Sequence, residues 1–280
     1  MWVSDTEFET TGESACPTRR PSRPDAGTES PAPVFTPDQR DRLRSHLLRD
    51  AADDPRISAA AITGSAAADR EDRWSDIDLA FGLADGADLP KVLDDWTARM
   101  YDRHRAVHHC DVRSGAWLYR VFLLADTLQV DLAFVPAAEF RALAPTFRLV
   151  FGVANEPRHA PPPVPADLIG LGWLYALHAR SAIARGRLWQ AEYMISGVRD
   201  HALALAAIRH GLPAAHARGI HGLPDGVAAP FEESLVRALD IAELSRAFRA
   251  AISGLLGEIE QVDQALAERL QATLRSLSDA

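Results

Sequence analysis

Lysine is almost missing from this 280-residue chain, because Lys91 is the only one among its 30 lysine and arginine residues. The Gly-Lys-Ser/Thr loop that cradles phosphates in many nucleotide-binding proteins is therefore excluded, and any group of cations that binds phosphates must consist of arginines. Cations are also outnumbered by 39 aspartates and glutamates, which gives a formal net charge of −9. This balance argues against a nucleic-acid substrate, which needs a basic surface, and suits a small cationic molecule better.

Cysteine and long apolar runs are scarce as well. The two cysteines, Cys16 and Cys110, cannot form a disulfide framework, so we expect a protein of the reducing cytoplasm. No apolar stretch has the length needed to cross a membrane, and none near the first residue resembles the core of a signal peptide. Residues 1–33 are rich in proline, serine, threonine and charge, which predicts a disordered tail.

The whole chain is 47% hydrophobic and 25% charged, and the patterns that follow residue 33 predict an α+β fold. Residues 34–153 are expected to form a small mixed β-sheet flanked by helices, a proline-rich linker follows at 154–165, and residues 166–280 are expected to form an all-helical bundle. The predicted strands are 57–62, 76–83, 107–112, 117–124 and 128–135. The predicted helices are one capped by Thr36 and Gln39, then 88–104, 166–185, 188–210, 231–239 and a long last helix from Asp240 to Leu270.

Two aspartates two residues apart, Asp76 and Asp78, carry the clearest chemical signal in the chain. Side chains alternate along a strand, so both carboxylates project from one face while the apolar residues beside them point into a core. Neighbouring carboxylates repel each other and need a cation to offset that repulsion. Upstream, Gly64 and Ser65 end a strand and open a short helix, where backbone N–H groups and the helix dipole favour a phosphate. Together these features predict a metal-dependent site for a nucleoside triphosphate.

A third acid, Asp131, stands on an otherwise apolar strand. The apolar residues at positions 128, 130, 132 and 134 share one face, whereas Gln129, Asp131 and Ala133 share the other. Asp131 is therefore displayed opposite the core face and is a candidate third metal ligand. The alternative interpretation is an exposed acid on an edge strand.

The order of a strand, Gly64-Ser65, a helix, the Asp76 and Asp78 strand, a helix and a hairpin bearing Asp131 resembles the DNA-polymerase-β-like nucleotidyltransferase superfamily. The resemblance covers residues 57–136. The wording Ser-Asp-Ile-Asp-Leu and the helical domain that follows look most like the branch that adenylylates small antibiotics, the aminoglycosides and lincosamides. This resemblance implies a Mg²⁺-dependent transfer of AMP from ATP to an acceptor hydroxyl, with release of pyrophosphate.

The resemblance also implies a role for each residue of the motif. Asp76 and Asp78 would bridge two Mg²⁺ ions, which hold the attacking and leaving oxygens in line. Asp131 would bind the ion that lowers the pKa of the acceptor hydroxyl, or would itself take its proton. Gly64 and Ser65 would hold the β- and γ-phosphates through backbone N–H groups and the serine hydroxyl.

Further site residues are expected among the arginines and acids. Members of the family often carry Ala-Arg-Gly shortly after the Gly-Ser, whereas this chain has Ala-Ala-Ala-Asp-Arg, so Arg70 or Arg73 is expected to replace that phosphate-binding arginine. In antibiotic-modifying relatives the helical domain closes the cleft and supplies acids or cations, which makes Glu192 a catalytic candidate and Arg199 a phosphate-binding candidate. They are seven residues apart on one helix face, and a solvated charged face is the alternative interpretation.

Two other functions stay open from the sequence. The acceptor can be a tyrosine of a toxin protein, as in nucleotidyltransferase antitoxins. The chain can also be a non-catalytic binding module that keeps the fold and uses its helical domain for protein contacts, although three retained acids argue against it. The long last helix is a candidate surface for a homodimer.

Overall fold

The computed structural model describes residues 34–159, 161 and 163–278. The chain divides into two compact units, Met1–Ala160 and Pro161–Ala280. The disordered tail predicted for residues 1–33 lies outside the described residues. The predicted α+β fold is confirmed: a mixed sheet with helices forms the first unit and helices form the second.

The first unit contains a six-stranded sheet in the order β3-β4-β5-β2-β1-β6. Strands β2 and β5 run parallel and all other neighbours run antiparallel, so the sheet is mixed. Its helices are α1 (Pro37–Asp53), α2 (Gly64–Ala67) and α3 (Leu89–His104). Its strands are β1 (Ile57–Thr63), β2 (Ile77–Leu83), β3 (Ala106–Ser114), β4 (Trp117–Leu124), β5 (Gln129–Pro136) and β6 (Phe147–Phe151).

Helix α1 begins where the capping residues predict. The side chain of Thr36 accepts a hydrogen bond from the backbone of Gln39, and the side chain of Gln39 accepts one from the backbone of Thr36. Such a capping box satisfies two backbone N–H groups that the first helical turn leaves without partners. Strand β6, in contrast, was not expected. It lies at the sheet edge, and three of its five residues are exposed, so it lacks the alternation that marks a half-buried strand.

One face of the sheet carries the main core. Large apolar side chains of β2 and β5 pack with Trp96 of α3, which is fully buried. The ring centroids of Phe81, Phe134 and Trp96 lie 5.0 to 6.1 Å apart. Because side chains alternate with period two, a one-residue slip of either strand would turn this apolar set away from the core. The core therefore fixes the register of β2 against β5.

That register decides where the acids lie. Asp78 of β2 is paired with Asp131 of β5, and in parallel strands paired residues point to the same face. Strand β5 lies between β2 and β4, with Val121 opposite Asp131 on the other side. Asp131 is thus on a central strand, and the alternative interpretation of an exposed edge-strand acid is wrong.

The face that carries the acids has a smaller core of its own. Two residues further along the strands, Ala80 and Ala133 belong to a second buried cluster with Trp117 and Phe140. The small alanine side chains leave room for these rings. The acids therefore stand at the border of a packed face, which explains why they are partly buried.

The second unit is helical and has a core rich in small residues. Its α-helices are α4 (Pro165–Ala184), α5 (Leu188–Arg209), α6 (Ile241–Val262) and α7 (Gln264–Ser278). Glycines permit close packing: a Cβ at Gly172 would lie 2.9 Å from Leu255, and one at Gly197 would lie 2.2 Å from the ring of Tyr175. Helix α4 therefore approaches α5 and α6 at these positions.

Two predictions for this unit are wrong. The predicted helix at 231–239 is a short 3-10 helix, Ala229–Ser234, after which Leu235 is extended. The guanidinium of Arg246 donates to the backbone carbonyls of Glu233 and Leu235. It thereby competes for these acceptors with the backbone N–H groups that an α-helix would use.

The long last helix is also not continuous. Asp240 caps its start as predicted, accepting from the backbone of Glu243 at 2.9 Å. The chain then leaves helical geometry at Asp263, whose carboxylate accepts from the backbone of Leu266 at 2.9 Å and so caps a new helix. The helix predicted to run to Leu270 is therefore the pair α6 and α7. In the described part of the chain, no helix combines the length and the apolarity needed to cross a bilayer.

Candidate functional site

Three acids converge where β2 and β5 begin. Asp76 immediately precedes β2, Asp78 is its second residue, and Asp131 is the third residue of β5. One carboxylate oxygen from each lies within 4.8 Å of the others, and all three side chains are partly buried. The structure thus brings together the three acids that the sequence singled out.

Gly64 lies directly against this cluster. Its φ is +64°, a left-handed conformation that favours glycine, and a Cβ at this position would lie only 1.9 Å from Oδ2 of Asp78. The turn between β1 and α2 therefore touches the carboxylate of Asp78 with bare backbone. Any side chain here would push that carboxylate out of the cluster.

Gln129 is a member of the cluster that the sequence reasoning missed. Its Nε2 donates to Oδ1 of Asp131 at 3.1 Å and lies 3.3 Å from Oδ2 of Asp76. The amide thus bridges two of the three carboxylates. The signal was present, because Gln129 shares a strand face with Asp131, but a glutamine on its own carries no chemical motif.

Burial sets the protonation of Asp131. Loss of solvent raises the pKa of its carboxyl from the ordinary value of 3.8 to about 6, the hydrogen bond from Gln129 acts in the opposite direction, and the nearby charge of Asp76 raises it further. The protein therefore holds a carboxylate at neutral pH that would gain from a neighbouring cation.

This donor set fits a hard divalent cation. Mg²⁺ prefers oxygen ligands and is commonly bound by one or two carboxylates together with water or substrate phosphates. Three carboxylate oxygens within reach of one ion supply that chemistry, and a bound ion would offset both their mutual repulsion and the burial of Asp131. The acidic cluster can thus bind a metal ion.

The arginines expected near the phosphates lie in the loop between α2 and β2. Arg70 and Arg73 are both exposed, and the guanidinium of Arg73 stacks on Trp74, 4.8 Å from the ring centroid. Arg148 of the unexpected strand β6 also reaches this region, where it donates to Asp69 at 2.8 Å and to the carbonyl of Ala66 at 2.9 Å. It escaped the sequence reasoning because β6 itself was not recognised.

Glu192 and Arg199 lie on α5 of the second unit. Glu192 accepts from the hydroxyl of Ser196 at 2.8 Å, one turn further along the helix. Arg199 forms an ion pair with the adjacent Asp200 at 3.1 Å. Both residues thus have partners on their own helix, and their place in the functional site stays a prediction.

Comparison with known proteins adds little to this geometry. No protein-family model matches the chain, and no curated protein matches it. Among solved structures, an aminoglycoside 6-adenyltransferase from Bacillus subtilis is 12% identical over 84% of this chain and 96% of that one, with a TM-score of 0.38. The CD-NTase CdnG of Bradyrhizobium diazoefficiens, in complex with GTP, is 14% identical over 87% and 90%, with a TM-score of 0.28. Because both TM-scores are low, we base the functional proposal on the residues of this chain.

The substitution Asp131→Asn should stabilise the metal-free protein at pH 8. Well below pH 3.8, both the folded and the unfolded chain carry a protonated Asp131. As the pH rises from 3.8 to 6 the unfolded chain ionises first, so the folded protein loses stability. That loss is complete above pH 6 and amounts to at most about 3 kcal/mol for a shift of about two pKa units. Urea unfolding at pH 4 and pH 8 measures it.

The same variant should lose its response to metal. Mg²⁺ or Mn²⁺ should raise the unfolding midpoint of the wild-type protein, increasingly so as the pH rises through 6, and should leave that of Asp131→Asn almost unchanged. Asp85→Asn is the matched control, because Asp85 is exposed in the turn that follows β2. Equal metal responses in the wild type and Asp131→Asn would contradict the assignment of Asp131 as a ligand.

Gly64→Ala should cost more than left-handed backbone strain alone. Gly86 is the matched control, since its φ is +78° but no atom of the described residues lies within 4 Å of a Cβ there. Gly86→Ala should cost about 1 to 2 kcal/mol of stability and leave metal binding intact. Gly64→Ala should lose more and should also lose the metal-induced rise of the unfolding midpoint, because it displaces Asp78. Equal behaviour of the two variants would show that the contact with Asp78 is unimportant.

Proposed function

We propose that the chain is a divalent-metal-dependent nucleotidyltransferase that transfers AMP from ATP to a hydroxyl of a small acceptor and releases pyrophosphate. The observation that carries the proposal is the convergence of Asp76, Asp78 and Asp131 beside the bare backbone of Gly64. A fold does not need three carboxylates at one point for its stability, whereas a site that binds a cation beside a phosphate does need them.

The reaction forms one bond and breaks one. The acceptor oxygen bonds to the α-phosphorus of ATP, the bond from that phosphorus to the bridging oxygen of the β-phosphate breaks, and its electron pair leaves with pyrophosphate. Mg²⁺ held by Asp76, Asp78 and Asp131 would supply the positive charge that stabilises the oxygens of this in-line displacement. The acceptor hydroxyl gives up its proton as the new bond forms.

Asp131 is proposed either to receive that proton or to bind the metal ion that lowers the pKa of the acceptor hydroxyl. A carboxylate whose pKa is about 6 is ionised at neutral pH and yet more basic than an ordinary aspartate. Gln129 orients it through the 3.1 Å hydrogen bond. A comparison of the pH dependence of turnover with the pH dependence of metal binding distinguishes these two tasks.

The nucleotide phosphates are proposed to lie at the turn between β1 and α2. The backbone N–H groups of Gly64 and Ser65 and the Ser65 hydroxyl would bind the β- and γ-phosphates. Arg70 and Arg73, exposed in the following loop, would neutralise their charge, and Arg199 is a further candidate in the helical unit. Glu192 is proposed as an acid of the acceptor site.

The acceptor is proposed to be a small cationic, polyhydroxylated molecule of the antibiotic kind. The net charge of −9 supports this class over an anionic acceptor or a nucleic acid. We place the protein in the cytoplasm, where ATP is available and its cysteines stay reduced. The partly buried Asp131, whose pKa is raised by loss of solvent, disfavours a non-catalytic module, since an ionised group there destabilises the fold without a cation.

Turnover should depend on metal and on the paired aspartates. With Mg-ATP and a panel of polyhydroxylated cationic acceptors, pyrophosphate release should appear with the wild type. It should fall at least about a hundredfold in Asp76→Asn or Asp78→Asn, since even indirect partners of a metal are worth 10- to 100-fold. Asp85→Asn is again the control and should keep wild-type turnover.

Two outcomes of this assay would redirect the proposal. Labelling of a protein band after incubation with labelled ATP and lysate, without turnover on small acceptors, would favour a protein tyrosine as acceptor. Absence of Mg-ATP binding by isothermal titration calorimetry would contradict the enzyme and favour a binding module. Comparison of ATP with other triphosphates in the same assay defines the nucleotide.

A further inference from the structure

Arg40 is a charged residue in an apolar position. It lies on the inward face of α1, which also carries Leu47 and Ala51, and only 4% of its side chain is exposed. Positions seven and eleven residues apart share one helix face, so an apolar residue is expected here. A buried guanidinium is costly unless its donors are paired, and its partners therefore indicate what it does.

The partners of Arg40 all belong to the loop before β2 or to its own helix. Nη1 donates to the backbone carbonyls of Asp72 at 2.6 Å and of Ser75 at 3.3 Å. Nε lies 3.1 Å from the carboxylate of Glu71 and 3.2 Å from that of Asp41. One planar group thus contacts Glu71, Asp72 and Ser75 of a loop that is more than thirty residues away in the chain.

The loop is closed by its own polar contacts as well. The carboxylate of Asp72 accepts from the backbone of Trp74 at 2.8 Å and from the hydroxyl of Ser75 at 3.0 Å. The backbone N–H of Asp72 in turn donates to that hydroxyl at 2.9 Å. Arg44, one turn after Arg40, adds an ion pair of 2.5 Å to Glu71. The loop is therefore a small turn that is closed by its own hydrogen bonds and attached to α1 by ion pairs.

This fastening reaches the acidic cluster through one peptide group, that between Ser75 and Asp76. The carbonyl of Ser75 that Arg40 binds belongs to the peptide group whose nitrogen is that of Asp76. Because a peptide group is planar, fixing its oxygen fixes the direction in which the backbone enters Asp76. Asp76 lies before the first residue of β2, so strand pairing does not hold it in the way it holds Asp78.

We propose that Arg40 is a positioning residue of the metal site: it holds residues 71–75 so that the carboxylate of Asp76 meets those of Asp78 and Asp131. This role rests on the proposed function, since it assumes that the three acids bind a divalent ion. It assigns a part in the site to α1, a helix that contributes no residue to the acidic cluster.

The test compares Arg40→Gln, Arg40→Lys and Arg42→Gln in the full chain. Arg42 is the matched control, since it lies on the same helix and is exposed. Mn²⁺ affinity is measured by isothermal titration calorimetry without nucleotide. Cleavage by trypsin after Arg70 and Arg73, followed by mass spectrometry, reports on the loop without requiring metal or activity.

Arg40→Gln should weaken Mn²⁺ binding about tenfold or more, as loss of an indirect partner of a metal does, and should speed cleavage after Arg70 and Arg73. Arg40→Lys should recover part of the Mn²⁺ affinity, because an ammonium can reach one carbonyl but cannot contact both carbonyls and Glu71 as the planar guanidinium does. Arg42→Gln should match the wild type in both measurements.

Wild-type Mn²⁺ affinity in folded Arg40→Gln would overturn the positioning role while leaving the proposed function intact. If Arg40→Gln does not fold, Arg40→Lys decides: weaker affinity supports the role and unchanged affinity overturns it. A wild-type protein that binds no Mn²⁺ would contradict the proposed function, and the positioning role with it.

Discussion

The parallel pairing of β2 with β5 is the constraint on which the candidate site depends. It places Asp78 and Asp131 at the same level on one face of the sheet, and the large apolar residues on the other face prevent a slip. Packing energy from the core is thus used to hold like charges together. The acids repel each other and are partly buried, so a bound cation would stabilise the arrangement.

The surroundings of the acids are built to maintain this arrangement. Gly64 brings bare backbone against Asp78, Gln129 bridges Asp76 and Asp131, and Arg40 fastens the loop that leads to Asp76. Each contact acts on a different acid or pair of acids. A site held in this way loses little freedom when an ion binds, which is the physical meaning of preorganisation.

Much of the fold and the centre of the site could be predicted from local patterns. The two-residue spacing of Asp76 and Asp78 at the start of a strand predicted that their carboxylates lie together, and the Thr36–Gln39 capping box marks the start of α1. What could not be predicted depends on contacts between distant segments. Examples are the central place of β5 that buries Asp131, the edge strand β6 that brings Arg148 to α2, and the carbonyls that Arg246 binds. No local pattern indicates that an inward-facing arginine on α1 holds a loop thirty residues away.

The candidate site requires the carboxylates of Asp76, Asp78 and Asp131 to share one divalent ion. A crystal of the protein soaked with Mn²⁺ at pH 8 locates that ion through its anomalous diffraction. We expect an anomalous peak within coordination distance of all three carboxylates. Well-ordered carboxylates at this place with no peak between them, or a Mn²⁺ ion bound only elsewhere, would rule out the shared ion.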